Sequence, residues 1–474
     1  MTAGPRLLCA LVLGAVTMLA LPPWGFWPLA PLGLAAFSWL HATDPDRRSF
    51  WLAFTYWMGA YLLALVWMID LTIPGWIVAT PVEAAIMAAP WVLLPREGPW
   101  RDVGIPAALT VGEAVRWVVP FGGVPMSNLA LGQVGAPWVD VVRVAGPLLL
   151  VALTGVIAVG LLAARERDVA TAGAATGVVL LSMAAAAIAP TGQVEREITV
   201  AAVQAGGELG TNAVSSDEAA VFDRHVAAMD ADPPFVDLIV WSESSAVSDG
   251  PLNNSRRLSE LEDLADLYDA TIIANFSERT PDRFRNAAVA VAPDDGLVGR
   301  YDKVHLVPFG EYVPLRGFIE NFADLSLIPR EAIAGEGDAV LDTPFGPVAT
   351  VISFEVYFPA RVRSGVQAGG GIVTNPTLAS SYTTSLVAAQ SMASAQLRAI
   401  ESGRWVVQAS TTGFSGVVDP DGVVIRRTGL RDAGVVTAVA EIRSGETWAI
   451  QLGKWPVTLA ALLGLTVAGV RRDR

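Results

Sequence analysis

Tyr301-Asp302-Lys303-Val304-His305-Leu306-Val307-Pro308-Phe309-Gly310-Glu311-Tyr312 holds one of only two lysines in the chain, the other being Lys454. Positive charge is otherwise written as arginine, which cannot lose its proton or place a compact ammonium where its planar fork does not fit. A lysine retained here therefore invites a chemical reason. Two other segments share the pattern of a polar group at the end of an apolar, β-branched run. Glu243 follows Leu238-Ile239-Val240-Trp241-Ser242, and Ser353-Phe354-Glu355 follows Ala349-Thr350-Val351-Ile352. In open α/β sheets such strand ends commonly carry chemistry. Each signal alone is weak, since a single glutamate at a strand end is more often a cap or a surface charge.

Outward from these segments, residues 196–446 read as short β-branched runs separated by Gly, Pro and Asp clusters, with helical stretches between them. That alternation is an α/β signature. Strands are expected at Ile198 to Gln204, Val236 to Trp241, Thr271 to Phe276, Ala287 to Val291, Ala349 to Ile352, Gly371 to Thr374 and Trp405 to Ala409. Late runs at Ser415 to Val418, Val423 to Arg426 and Val435 to Ala440 read as a closing meander with a turn at Asp421-Gly422. Helical periodicity marks Asp217 to Met229, Ser255 to Tyr268 and Ser385 to Glu401.

The rest of the chain belongs in lipid. Of 474 residues 53% are hydrophobic and 16% charged, and the mean hydropathy of +0.47 is too high for an ordinary soluble enzyme. A net charge of -14 removes the cationic surface that nucleic-acid binding needs. The lone cysteine, Cys9, excludes an intrachain disulfide. A hydrocarbon core of about 30 Å needs roughly 20 apolar residues in a helix. Runs fitting that need lie at Leu7 to Leu21, Phe26 to Leu40, Phe50 to Ile69, Ile73 to Leu94, Val103 to Val119, Val139 to Ala163 and Ala170 to Ala189. An eighth, Trp455 to Val470, follows the polar middle. The expected organisation is a helical membrane bundle in residues 1–195, a polar domain in 196–446, and a last helix with a basic tail in 447–474. The first run reads as a retained span, because Pro22-Pro23-Trp24 is a poor signal-cleavage site and more spans follow.

Arg6, Arg47 with Arg48, Arg96 with Arg101, Arg165 with Arg167, and Arg471 with Arg472 and Arg474 all fall on one side of this arrangement. By the positive-inside rule that side is cytoplasmic. Both termini are then inside and residues 196–446 outside. Arg116 and Arg143 are the exceptions, pointing to a headgroup or buried-carboxylate contact, with Glu113 a candidate partner for Arg116, or to snorkelling at the interface.

Together, Val240-Trp241-Ser242-Glu243-Ser244, the Lys303 to Tyr312 segment and Ile352-Ser353-Phe354-Glu355 resemble the three catalytic segments of the nitrilase superfamily in its apolipoprotein N-acyltransferase form. Pro22 to Pro28, Thr374-Asn375, Gln396 to Arg404 and Thr411-Thr412-Gly413 agree, so the resemblance spans nearly the whole chain. It implies a bundle of about eight transmembrane helices plus an α/β nitrilase-like αββα sandwich in a bacterial cytoplasmic membrane, with the sandwich extracytoplasmic. It also implies acyl transfer from a phospholipid donor, through an acyl-enzyme, to the α-amine of a diacylglyceryl-cysteine lipoprotein. In that scheme Glu243 is the general base and Lys303 stabilises the oxyanion, while Glu311 and Glu355 support the site. No metal cluster or phosphate-binding glycine loop is evident, and no cofactor is expected.

Ser353 stands where that family carries its nucleophilic cysteine. A free thiol has a pKa near 8.5, an aliphatic hydroxyl several units higher, so a large loss of rate is expected. A substitution introduced to hold substrate, a natural serine variant and a natural pseudoenzyme are the three origins compatible with the sequence. Ser353 lacks the Gly-x-Ser-x-Gly surroundings of a serine hydrolase, and His305 belongs to the lysine segment itself. Two smaller departures are Ser242, in place of a proline common before the glutamate, and the absence of an aromatic after Asn375. A membrane-anchored C-N hydrolase and a non-catalytic membrane scaffold are the competing readings.

Overall fold

The long, near-continuously apolar run Thr271-Ile272-Ile273-Ala274-Asn275-Phe276 is buried along its whole length, as a central strand covered on both faces must be. It belongs to the compact unit Pro190–Glu446; Met1–Ala189 and Thr447–Arg474 make up a second unit. The computed structural model describes residues 3–44, 49–210, 218–231, 235–321, 325, 328 and 330–472. Arg47, Arg48 and Arg474 of the basic connections, and Asp217 at the head of an expected helix, lie outside the described residues.

The unit Pro190–Glu446 is built on two sheets. Strands β1 (Gln193–Gln204), β2 (Leu238–Val240), β3 (Ala246–Asp249), β4 (Thr271–Arg279), β5 (Arg283–Ala292), β6 (Gly296–Asp302) and β7 (Glu331–Ala332) belong to the first. Strands β8 (Val340–Leu341), β9 (Val348–Thr350), β10 (Val373–Thr377), β11 (Val406–Ser410), β12 (Gly416–Val418) and β13 (Val424–Arg427) form the second, in the order β13-β12-β11-β10-β9-β8. The last strand, β14 (Gly434–Ser444), returns to the first sheet, whose order is β14-β1-β2-β4-β5-β6 with β3 on β4 and β7 on β5. In each sheet the central pairs are parallel, β1-β2-β4 and β9-β10-β11, and the chain then turns back through antiparallel neighbours.

Helices Glu218–Ala231 and Arg256–Tyr268 cover the first sheet, Pro359–Gln367 and Leu386–Ser402 the second, so the layers run αββα, a nitrilase-like fold. Phe222, Met229, Trp241, Leu258, Leu261, Ile272 and Phe276 form the core under the first pair. Burial on this scale supplies roughly 2 kcal/mol per large apolar side chain, and that offsets the entropy of ordering them.

The closing meander is corrected. Strands β12 and β13 do form a hairpin, turned at Asp419 to Val423 with Gly422 at φ +79°. However, β14 leaves the second sheet and pairs antiparallel with β1 from Gln193↔Ser444 to Gln204↔Gly434. Edge-strand hydrogen bonds on β1 draw it across.

In the other unit each apolar run of the sequence is helical: Ala3–Met18, Leu29–Ala42, Ser49–Ala64, Ile73–Ala88, Pro99–Arg116, Pro147–Glu166, Val169–Ile188 and Trp455–Arg471. Among the described residues, three stretches are long and apolar enough to cross a membrane, Ile73–Leu93, Pro147–Glu166 and Val169–Ile188, and three shorter helices are similarly apolar. The run from Val139 breaks at Gly146-Pro147, where Gly146 has φ +74°. Helices Ala3–Met18 and Ser49–Ala64 touch backbone to backbone. A Cβ on Gly14 would sit 1.8 Å from the Tyr56 carbonyl oxygen, and one on Gly59 1.9 Å from that of Leu11. Small residues at such crossings are what lets helices pack closely in lipid.

Arg116 makes the carboxylate contact. Its guanidinium lies 2.6 Å from Glu83 and 2.8 Å from Glu113, donates to the carbonyls of Val124 and Met126, and stacks on Tyr61. All three charges are buried. Arg143 sits 3.8 Å from Asp140.

Candidate active site

The end of β2 and the turn after β6 bring Glu243, Lys303 and Glu311 into one buried cluster, and the turn after β9 carries the half-buried Ser353 and the buried Glu355. Lys303 Nζ donates to Glu243 Oε1 at 2.9 Å and to Glu311 Oε1 at 3.0 Å. Burial alone would push the Lys303 ammonium down, but the Glu243 and Glu311 carboxylates outweigh it and hold it above the ordinary lysine value. The lysine therefore stays charged at neutral pH, and its third proton makes no hydrogen bond among the described residues. Glu311 is locked by the backbone N–H of Val307 at 2.7 Å on its second oxygen. Glu243 Oε2 accepts no hydrogen bond among the described residues.

Ser353 opens the short 3-10 turn Ser353–Tyr357 directly after β9, with φ +52°. A non-glycine residue in the left-handed region costs on the order of 1 kcal/mol and is held there only by its surroundings. Its N–H donates to Asn375 Oδ1 at 3.1 Å, and its hydroxyl accepts from Thr377 Oγ1 at 3.2 Å. Thr377 in turn takes the N–H of Glu243 on its carbonyl at 3.2 Å. The loop end of β10 thus joins residue 353 to the glutamate that holds Lys303.

Glu355 ties the same segments from the other side. Its oxygens receive the Tyr301 hydroxyl at 2.8 and 2.9 Å and the N–H groups of Val304, His305 and Ile352 at 2.9, 3.0 and 2.9 Å. Fully buried and hydrogen-bonded on both oxygens, this carboxylate fixes the backbone of the Lys303 and Ser353 segments. His305 packs its ring on Phe358 at 4.2 Å, and the hydrogen bonds that Ser353 makes among the described residues go to Asn375 and Thr377.

The carbon-nitrogen hydrolase family profile matches residues 199–449, and the profile for the apolipoprotein N-acyltransferase N-terminal domain matches residues 13–161. This chain belongs to the apolipoprotein N-acyltransferase family. It is similar to the apolipoprotein N-acyltransferase of Shewanella oneidensis, 25% identical over 99% of this chain and 96% of that one. The Pseudomonas aeruginosa apolipoprotein N-acyltransferase is 28% identical over 97% and 94% respectively. Among solved structures, a nitrilase-superfamily member from Saccharomyces cerevisiae matches 52% of this chain and 91% of its own, at 21% identity and a TM-score of 0.39. A CN-hydrolase superfamily protein from Xanthomonas campestris matches 56% and 97%, at 17% identity and a TM-score of 0.40.

Within this member of the apolipoprotein N-acyltransferase family, several groups around the cluster escape a reading of the sequence. Asn286 Nδ2 donates to Glu243 Oε1 and Glu311 Oε1, 2.9 Å each, and its Oδ1 accepts from Asn275 Nδ2 at 2.7 Å. Asn275 Oδ1 takes the N–H of Ser244 at 2.6 Å. Both asparagines sit inside strands β4 and β5 and are buried. A polar amide inside an apolar strand is itself a signal, because such a group must find partners or be expelled. Asn375 is held by Gln408 at 2.9 Å, and Gln408 by Ser391 at 3.2 Å.

Proposed function

We propose that this chain transfers a fatty acyl group from a phospholipid, through an acyl-enzyme on residue 353, to the α-amine of a diacylglyceryl-cysteine lipoprotein. The carrying observation is the ammonium of Lys303 between the carboxylates of Glu243 and Glu311, linked through Thr377 to the Ser353 hydroxyl. Ser353 Oγ attacks the donor ester carbonyl, its proton passes to Glu243, and the lysophospholipid alkoxide leaves with that proton. Lys303 offers its remaining N–H to the tetrahedral oxyanion. The lipoprotein amine then attacks the acyl ester, Glu243 takes its proton, and Ser353 Oγ recovers one on leaving.

The reading includes eight spans with both termini cytoplasmic and residues 196–446 outside, where lipid-borne donor and acceptor meet. Basic residues on one set of short connections support that orientation. A hydroxyl is a far weaker nucleophile than a thiol here, so the Ser353 chain turns over slowly or holds substrate without turnover.

Full-length chain and Ser353→Cys, in detergent with labelled phospholipid and a diacylglyceryl-cysteine peptide, test this. The expected result is an amide-linked acyl group on the peptide with Ser353→Cys, and at least ~100-fold less with Ser353. No amide from Ser353→Cys overturns the reading. Free fatty acid as the only product, even at saturating peptide, replaces it with hydrolysis.

A further inference from the structure

The peptide that carries Glu243 begins at Ser242, whose N–H and hydroxyl are buried. A proline at this position would have no N–H to satisfy. Here the donor exists, and it is met by His225 on helix Glu218–Ala231. Ser242 N lies 3.3 Å and Ser242 Oγ 3.1 Å from His225 Nε2. His225 Nδ1 faces the Val221 carbonyl at 2.8 Å. A carbonyl only accepts, so Nδ1 carries the proton and Nε2 is bare. The ring is stacked on Trp241 at 4.8 Å, which fixes its plane. The Ser242 hydroxyl continues to Thr411 Oγ1 at 2.8 Å, and both hydroxyls reach the Glu243 carbonyl at 3.3 Å.

We propose that His225 is a positioning residue for the proton-accepting glutamate: its bare Nε2 satisfies the Ser242 N–H and sets the peptide from which Glu243 projects. This rests on the reading of Glu243 given above. An accepting side chain at position 225 is thus needed because residue 242 is not proline, and the two positions form one unit.

Two arms test it. The chain has three histidines, His41, His225 and His305, so 15N-histidine labelling of the full-length protein gives a readable spectrum. One ring, lost in His225→Gln, shows the Nδ1–H tautomer; an Nε2–H signal for that ring overturns the proposal. In the Ser353→Cys chain, His225→Leu lowers kcat roughly 10- to 100-fold with donor KM unchanged, the range expected for an orphaned buried donor. His225→Gln keeps an acceptor and stays within about threefold of the parent. Adding Ser242→Pro to His225→Leu restores most of the loss. A double variant no better than His225→Leu alone overturns the coupling, whether or not packing around position 225 is disturbed, because the tautomer arm reads the unmodified protein. Should Ser353→Cys transfer no acyl group at all, the functional reading fails while the tautomer arm still decides the role of His225.

Discussion

Thr377 donates its hydroxyl proton to Ser353 Oγ across 3.2 Å. A donor aimed at this oxygen favours its charged form, and would favour a thiolate in the same place. In a chain carrying Cys9→Ser and Ser353→Cys, adding Thr377→Val should raise the pH of half-maximal maleimide labelling by about one unit, since a hydrogen bond to a charged acceptor is worth about 1.5 kcal/mol. An unmoved labelling profile would place Thr377 outside nucleophile activation.

Lys303 neutralises two carboxylates in a buried site. Its raised pKa means that the stabilisation it gives is complete below the ordinary lysine value and fades only as pH rises through the still higher folded value. Lys303→Met should cost about 3–5 kcal/mol at pH 7. Thermal unfolding of parent and variant at pH 7 reads the loss, and a deficit below about 1 kcal/mol, the worth of an exposed pair, contradicts the geometry.

Burial lowers the His225 pKa from 6.5 to about 4. Its folded-state value is depressed, so between these values the unfolded chain binds more protons than the folded one. The neutral ring's contribution is therefore present above pH 6.5 and is lost as pH falls toward about 4. His225→Gln cannot titrate and should flatten this part of the stability curve. Parallel melting curves of parent and variant from pH 6.5 to 4.5, with no change in their difference, would contradict it.

Gly14 and Gly59 lie where two helix backbones meet. Gly14→Ala or Gly59→Ala forces the helices apart and should lower stability by about 2 kcal/mol, read as a drop in Tm in detergent. Gly173→Ala, on helix Val169–Ile188 with nothing within 4 Å, is the control and should be neutral or slightly stabilising. Equal effects at all three positions would show that helix propensity, not the crossing, governs them.

Residue chemistry is legible where it is anomalous. Lys303 stands out because the chain otherwise uses arginine, and the central strands β4 and β11 because their β-branched runs are bounded by turn residues. Strand β6 is not legible: Gly296, Gly299, Arg300 and Asp302 give it the look of a loop, and its pairing with β5 supplies what its composition lacks. The pairing of β14 with β1 joins segments about 240 residues apart, beyond any local pattern. Glu83 as second partner of Arg116 is hidden for the same reason, whereas Glu113, one helical turn away, can be named. Asn286 is masked by neighbours that spell a strand, although its amide bridges both carboxylates.

The antiparallel ladder between β1 and β14 sets Gln193 beside Ser444, and Arg443 reaches back to the carbonyl of Thr191 at 3.1 Å. The chain thus goes into and comes out of its sandwich at neighbouring points, a few ångströms apart as cross-strand partners are. Excising residues 193–444 would therefore leave two loose ends within bonding reach of each other, the geometry that tolerates exchange of a whole domain.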